Sequence, residues 1–208
     1  MNNNEILARI KNIEKELNEM KNILEVPEER SKFLLTKVTE KSDNPEDFDI
    51  FDGILYEYLG DSEAVTIPDG VTKIGKEAFY QNRTVTKITL PETVTEIEEY
   101  AFSDCINLEE VKISGNSLTA GRYSFSGCKR LSGIDIEKIK IVSSNAFFGC
   151  KSLKRLIFSE NTEIIGEFAF SGCTELSISV PVTCKRGYCA FYGCKSVEIK
   201  KGGQNYEL

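Results

Sequence analysis

The sequence has no histidine among its 208 residues. Without histidine there is no Ser-His-Asp or Cys-His arrangement, no imidazole metal ligand and no imidazole base that titrates near neutral pH. The sequence also contains no G-x-S-x-G, no P-loop and no G-x-G-x-x-G motif. These absences predict a protein that is not an enzyme and that needs no cofactor.

Long apolar runs and an excess of basic residues are also absent. No run approaches the ~18 apolar residues of a membrane span. The 33 acidic and 26 basic residues leave a net charge of −7, which argues against nucleic acid or anionic lipid as the main partner. The opening residues, MNNNEILARIKNIEKELNEM, lack the pattern of a secretory signal. With an odd number of cysteines, seven, we expect reduced thiols and a cytoplasmic location, with a cell-surface or secreted location as the alternative.

One short string recurs through most of the chain. EYAFSDC, RYSFSGC, NAFFGC, EFAFSGC and YCAFYGC place a small residue, a phenylalanine and a cysteine at the same offsets. The phenylalanines are spaced by 23, 23, 22, 23 and 21 residues: Phe79, Phe102, Phe125, Phe147, Phe170 and Phe191. Three residues after each phenylalanine stand Asn82, Cys105, Cys128, Cys150, Cys173 and Cys194. A period of this length is typical of a repeat protein.

Each interval between these strings contains a short strand pattern. After Cys105, apolar residues follow at three, six and eight places, as Leu108, Val111 and Ile113. The last two alternate with polar residues, as in a strand with one buried face. One repeat cannot enclose a core, but repeats stacked ~4.8 Å apart can. We expect the phenylalanines to form an internal column and the cysteines a column of free thiols, because equivalent Cβ atoms ~4.8 Å apart are too distant for a disulfide.

The string LPETVTEIEEYAFSDCINLEEVKI, residues 90 to 113, resembles the BspA-like leucine-rich repeat. That family carries an Ile-Pro or Leu-Pro, an Ile-Gly, an Ala-Phe and a Cys in each repeat, and the resemblance covers roughly residues 48 to 203. It implies a short curved solenoid with a parallel sheet on one face and a non-enzymatic role in binding proteins or other macromolecules. Many relatives are bacterial surface proteins, so an adhesin-like fragment that contacts host or neighbouring-cell molecules is the alternative function.

The two ends of the array differ from its middle. FDGILYEYLGDSEAVTIPDGV, residues 51 to 71, resembles the hairpin that often opens such arrays. At the other end, Lys185 and Arg186 stand where an apolar residue would be buried, which indicates a degenerate cap from about residue 180. We therefore predict a solenoid over residues 48–208, preceded by a connector over residues 28–47.

Residues 1–27 carry a different pattern. Six apolar residues are spaced by 4, 3, 4, 3 and 4 positions: Ile6, Ile10, Ile13, Leu17, Met20 and Leu24. This heptad spacing predicts an amphipathic coiled-coil helix that ends at Pro27. Its apolar stripe needs a partner, which could be a second copy, another protein or the chain's own solenoid. The heptad register favours a homo-oligomer, and helix and repeats together predict an α+β repeat solenoid.

The cysteines near the end of the chain offer a possible metal site. Cys173, Cys184, Cys189 and Cys194 could supply four thiolates to zinc. Their spacing does not match the C-x2–4-C pattern of structural zinc sites, and Cys173 and Cys194 already belong to the repeat column. We therefore predict that these cysteines pack in the core and bind no metal.

The outward row of the predicted sheet is the extended surface that the repeats offer to a partner. Its positions are Lys87, Thr89, Glu110, Lys112, Asp135, Arg155 and Ile157. Cross-strand ion pairs of Lys87 with Glu110 and of Lys112 with Asp135 are expected within this row. Ile157 is its apolar member and a candidate contact centre. We predict that a protein partner binds this row, without nucleic acid and without insertion into a membrane.

Overall fold

A computed structural model describes residues 45–201 and 204–207. These residues form 16 β-strands and two three-residue 3-10 helices, Pro45–Asp47 and Ile136–Lys138, with no α-helix among them. The α+β class predicted from the sequence is therefore wrong, because the repeats form a β-solenoid. The coiled-coil helix predicted over residues 1–27, which supplied the α part of that class, lies outside the described residues. Within the described ranges, no helix is long and apolar enough to cross a membrane.

One strand from each coil enters an eight-stranded sheet, the long sheet. Its strands, in spatial order, are β1 Phe48–Phe51, β2 Ile54–Tyr58, β4 Lys73–Ile74, β6 Glu96–Ile97, β8 Leu118–Ala120, β10 Ile139–Val142, β12 Ile164–Ile165 and β14 Lys185–Arg186. All neighbours pair in parallel except β1 and β2, which form an antiparallel hairpin. The strands that this sheet takes from the repeats contain the Ile-Gly part of the motif or its equivalent.

The strands that follow the cysteines form two further sheets. The first contains β3 Ala64–Thr66, β5 Lys87–Leu90, β7 Glu110–Ile113 and β9 Gly133–Ile134. The second contains β11 Arg155–Ile157, β13 Ser177–Pro181, β15 Ser196–Lys201 and β16 Gln204–Glu207. We call the outward side of these two sheets the sheet face. The sequence predicted one sheet here, but the structure has two, because β9 and β11 do not pair.

The first sheet ends after β9 with a local change in hydrogen bonding. In the regular ladder the Ile67 N–H donates to the Thr89 carbonyl of the next coil at 2.9 Å. At the equivalent position the Ile113 N–H donates to the carboxylate of Asp135 instead, also at 2.9 Å. The chain then enters the 3-10 helix Ile136–Lys138 rather than continuing the strand. A side chain has taken the place of the main-chain acceptor, and the first sheet ends there.

The Ala-Phe turns stack through a third set of main-chain bonds. The Phe102 N–H donates to the Ser124 carbonyl of the next coil at 2.8 Å, and Phe147 donates to Ala169 in the same way at 2.8 Å. The residue before the small residue of each turn has a left-handed backbone, with φ between 51° and 61°: Glu77, Tyr100, Tyr123, Asn145, Phe168 and Cys189. This conformation strongly disfavours β-branched side chains, and none stands at these positions.

The phenylalanine column predicted from the repeat is confirmed. Ring centroids of neighbouring coils lie 4.8 to 5.2 Å apart from Phe79 to Phe170. The column begins with Tyr58 of β2, whose ring stacks on Phe79 at 5.0 Å. Four rings of the column have no solvent exposure: Phe102, Phe125, Phe147 and Phe170. Burying one such ring contributes roughly 2–3 kcal/mol, so the column is a large part of the solenoid's stability.

Hairpins lie at both ends of the stack. The opening hairpin predicted by resemblance is present as β1 and β2, which turn at Asp52 and Gly53 with φ values of 50° and 71°. Two consecutive left-handed residues are what a two-residue type I′ hairpin turn requires. At the other end β15 and β16 form a second antiparallel pair. Lys185 and Arg186 are exposed on β14, the last strand of the long sheet.

Candidate interaction surface

Four of the candidate residues lie together on β5 and β7. Lys87 is paired in register with Glu110, and Thr89 with Lys112. The Lys87 Nζ lies 3.4 Å from Glu110 Oε2, so the predicted cross-strand ion pair is confirmed. Because the side chains of Lys87 and Lys112 are 58% and 64% exposed, these charges remain available to a partner.

The second ion pair predicted for this row does not form. Lys112 Nζ lies 3.9 Å from Glu110 Oε1 on its own strand. Asp135 is turned toward β7, where its carboxylate accepts the Ile113 N–H. The prediction failed because the sequence pattern assigned Asp135 an outward strand position, whereas the strand β9 has already ended at Ile134.

Arg155 and Ile157 lie apart from the other candidates, on β11 of the second sheet. Both are exposed, and Ile157 has 43% of its side chain accessible. Their strand pairs with β13 on one side and with no strand on the β9 side. The structure therefore divides the seven candidates into a group on β5 and β7, a group on β11, and Asp135 at the break between the two sheets.

A groove of about 350 Å³ lies on the sheet face at the end of the first sheet. Its lining includes Thr89, Glu110, Lys112 and Asp135 from the predicted set. Val111, Ile113, Ser114, Gly133 and Ile134 complete it. The groove thus brings four of the seven candidates to one concave site.

Gly133 lines the groove and is a position that the sequence reasoning missed. Gly133 is in register with Glu110. Lys87, Glu110 and Arg155 each supply an outward side chain in their own coils, but this coil has none at that position. A Cβ at this position would meet Glu110 Cγ at 3.6 Å, the Glu109 carbonyl oxygen at 3.9 Å and Glu110 Cβ at 4.0 Å, which are ordinary contacts. The missing side chain leaves this part of the groove open. Glycine at an outward strand position was the signal in the sequence.

The thiols of the repeated cysteines form hydrogen bonds inside the solenoid. Each donates to the phenylalanine carbonyl of the preceding coil, as Cys128 Sγ does to Phe102 at 3.0 Å and Cys150 Sγ to Phe125 at 3.1 Å. Burial raises the pKa of Cys105 and Cys173 to about 12, and holds those of Cys128 and Cys150 well above the usual thiol value. All seven cysteines are free, so the predicted column of free thiols is confirmed.

The four cysteines considered as a possible zinc site do not form a metal-binding cluster. Cys173 and Cys194 donate to the carbonyls of Phe147 and Phe170 in the core. In the part of the chain that the structure describes, no three acidic or cysteine side chains lie close enough to share a metal ion. The protonated thiols are also poor nucleophiles, because nucleophilic attack requires the thiolate.

The residues predicted for self-association cannot be placed on this surface. Ile6, Ile10, Ile13, Leu17, Met20 and Leu24 all lie outside the described residues.

A second feature missed from the sequence is a pair of exposed aromatic rings in the last Ala-Phe turn. Tyr188 and Tyr192 are 72% and 70% exposed. In the sequence, aromatic residues at solvent-facing positions next to the repeated Ala-Phe could have indicated them.

Comparison with known proteins identifies the repeat. The family model described as the BspA type leucine rich repeat region matches six copies, over residues 53–177 and 140–205. No curated protein gives a significant match.

Two solved structures share the fold. A leucine rich cell surface protein from Faecalibacterium prausnitzii A2-165 is 23% identical with a TM-score of 0.59, and the match covers 71% of this chain and 50% of that one. A leucine rich repeat protein from T. pallidum is 22% identical with a TM-score of 0.60, covering 76% of this chain and 86% of the other. The chain therefore spans about half the length of the F. prausnitzii protein.

Proposed function

Because the chain belongs to the BspA-type leucine-rich repeat family, we propose that it is a non-enzymatic binding module whose protein partner docks on the sheet face at the groove beside β9. Leucine-rich repeat proteins are generally protein-interaction or surface modules, since stacked repeats present an extended preformed surface. The observation that carries the proposal is the groove itself, a concave site on an otherwise regular face.

The groove combines main-chain and side-chain recognition. β9 and β11 are each paired with a strand on one side only, and an unpaired strand edge can bind an extended peptide through main-chain hydrogen bonds. Ile134 supplies a partly buried apolar contact, and Lys112 and Glu110 supply charges of both signs at its rim. A partner segment of mixed polar and apolar character therefore fits this site better than a uniformly charged one.

Ile157 and Arg155 extend the proposed contact beyond the groove. Both are exposed on β11, across the break from β9. An exposed isoleucine next to an arginine is a common composition for the centre of an interface. A partner that spans the break would contact all three groups of candidate residues, and the binding would involve no bond making or breaking.

Site-specific cross-linking tests the proposed surface. A photoreactive side chain placed at Lys112 in the full chain should give a discrete cross-linked product with material from the source cells, and the same group at Lys151, an exposed turn residue, should not. Gly133→Gln adds a side chain in the groove whose Cβ would make ordinary contacts, and it should reduce the Lys112 product several-fold. Equal products from positions 112 and 151, or a product unaffected by Gly133→Gln, would contradict the proposal.

Where the protein works and whether it self-associates remain predictions from the sequence. The cytoplasm is the expected compartment. The cell surface is the alternative, since one protein with this fold is described as a cell surface protein. Fractionation of the source cells separates the two. Sedimentation of the full chain and of a version lacking residues 1–27 tests self-association through Ile6, Ile10, Ile13, Leu17, Met20 and Leu24.

A further inference from the structure

Some charges in the middle of the solenoid are paired between neighbouring coils. Lys73 Nζ lies 2.8 Å from Glu96, and Lys140 Nζ lies 3.1 Å from Glu163, each pair joining one coil to the next along the long sheet. On the sheet face, Lys87 and Glu110 form the same kind of pair. Adjacent coils can therefore be joined by ion pairs, although Lys76 with Glu77 and Lys112 with Glu110 pair within one coil.

The last coil that the structure describes has basic side chains, and no described coil lies beyond it to pair with them. Residues 182–207 contain five basic residues and two acidic residues: Lys185, Arg186, Lys195, Lys200, Lys201, Glu198 and Glu207. Lys185, Arg186 and Lys195 are exposed, and none forms an ion pair with a described residue. Lys185 and Arg186 also lie on β14, which pairs only with β12 and so leaves one strand edge open.

The main chain of the last Ala-Phe turn is open at the same end. In the coil before it, the Phe170 N–H donates to the Ala190 carbonyl at 2.7 Å. The N–H groups of Cys189, Phe191 and Gly193 occupy the equivalent donor positions and have no acceptor among the described residues. The exposed rings of Tyr188 and Tyr192 flank them. This end therefore presents hydrogen-bond donors and apolar surface together with its positive charge.

The opposite end of the solenoid is acidic. Residues 44–72 contain no lysine or arginine and eight acidic residues: Glu46, Asp47, Asp49, Asp52, Glu57, Asp61, Glu63 and Asp69. Asp52 at the hairpin turn and Asp61 and Glu63 before β3 are exposed, and none forms an ion pair with a described residue. The first coil and its hairpin are thus acidic, whereas the last described coil carries more basic than acidic residues.

We propose that two copies of this chain associate end to end, with the acidic N-terminal end of one solenoid against the basic C-terminal end of another. The two ends have opposite charge, so attraction between copies would continue the coil-to-coil pairing found in the interior. A second copy is the partner that fits the basic end, because the chain itself carries the complementary acidic residues. The contact joins two different surfaces, so it can add further copies in a row.

Sedimentation of the full chain with matched charge reversals tests this inference. At about 50 mM salt the wild-type chain should show concentration-dependent association, weakened about tenfold or more at about 500 mM salt, where charges are screened within ~5 Å. The double variant Lys185→Glu/Arg186→Glu and the variant Asp52→Lys/Asp61→Lys/Glu63→Lys should each lose this association. Lys151→Glu/Lys154→Glu, on exposed residues of an interior coil, should keep it.

Mixing the two end variants is the decisive experiment. Each variant retains one native end, and its reversed end complements the reversed end of the other. A mixture should therefore associate although neither variant does alone. The inference is overturned if the wild type shows no salt-sensitive association, if reversals at the ends leave it unchanged, or if the mixture stays dissociated. Loss of association only on removal of residues 1–27 would also overturn it, and none of these results bears on the cross-linking at Lys112.

Discussion

The Ala-Phe-Cys turns and the sheet face are built from the same six repeats but differ in regularity. In the turns, the rings from Phe79 to Phe170 keep a spacing of 4.8 to 5.2 Å, and each following thiol donates to a phenylalanine carbonyl. On the sheet face the ladder stops at Asp135 and a groove opens beside Gly133. Packing in the interior constrains the residues of the turns, whereas the solvent-facing row can differ from coil to coil and can acquire a binding site.

The largest expected effect comes from breaking the ring column. Phe125→Ala should lower the free energy of unfolding by about 3–5 kcal/mol, because it leaves a cavity between two stacked rings in a site with no solvent exposure. Chemical denaturation followed by circular dichroism measures this loss. Phe148→Ala is the matched control, since Phe148 lies in the next coil's turn and is 44% exposed. Its cost should stay below about 1 kcal/mol, and equal costs would show that the column is not what holds the turns together.

A smaller loss should follow from removing the group that interrupts the sheet face. Asp135→Ala leaves the Ile113 N–H without its carboxylate acceptor and should cost about 1.5–3 kcal/mol, the usual range for a hydrogen bond to a charged group. Asp135→Asn keeps an acceptor oxygen and should cost less. Denaturation measures both, and hydrogen exchange at the Ile113 amide reports the bond directly. Unchanged exchange in Asp135→Ala would mean that the main chain of the next coil can take over as acceptor.

The sequence predicted the turns better than the face for a physical reason. The phenylalanine, cysteine and small residue must repeat because every coil fills the same interior, so their spacing is visible in the sequence. Strands of the long sheet such as Lys73–Ile74 have two residues, too few to show an alternating pattern. The missing pair between Lys112 and Asp135 follows from a side chain replacing a main-chain acceptor. That contact links residues 22 positions apart and has no local signature.

The family resemblance helped with the fold and less with the site. It led to the curved solenoid and the opening hairpin, whereas the free thiols were predicted from the spacing of stacked Cβ atoms. It did not indicate the groove beside Gly133 or the different charge of the two ends. Features that differ between copies are where a repeat protein acquires its own function, and they must be found in the structure of the individual chain.

The thiol column should make stability depend on pH in the alkaline range. Burial raises the pKa of Cys150 well above its ordinary value, so the folded state keeps the proton while the unfolded chain loses it. The stabilisation is complete below the unfolded pKa, near 8.5, and decreases as the pH rises from there toward the folded pKa. Above about pH 9.5 the wild-type free energy of unfolding should fall more steeply than that of Cys150→Ser, by up to ~1.4 kcal/mol per pH unit.

Denaturation curves of both proteins between about pH 7 and pH 10.5 measure this difference. Other groups that titrate in this range, such as lysine and tyrosine, are common to both proteins and cancel in the comparison. The two curves should run parallel below about pH 8, where the thiol is protonated in folded and unfolded chains alike. Parallel curves over the whole range would mean that the Cys150 thiol is not enclosed as the structure has it.

The smallest expected effect concerns the ion pair on the sheet face. A double-mutant cycle of Lys87→Ala and Glu110→Ala should give a coupling energy of about 0.2–1 kcal/mol, because both side chains are exposed to solvent and salt. Lys112→Ala should change stability by less than about 0.5 kcal/mol, since its contact with Glu110 is longer at 3.9 Å. Denaturation at low and high salt measures these terms. A coupling above about 2 kcal/mol would mean that these charges hold the coils together, and a partner would then gain less by binding them.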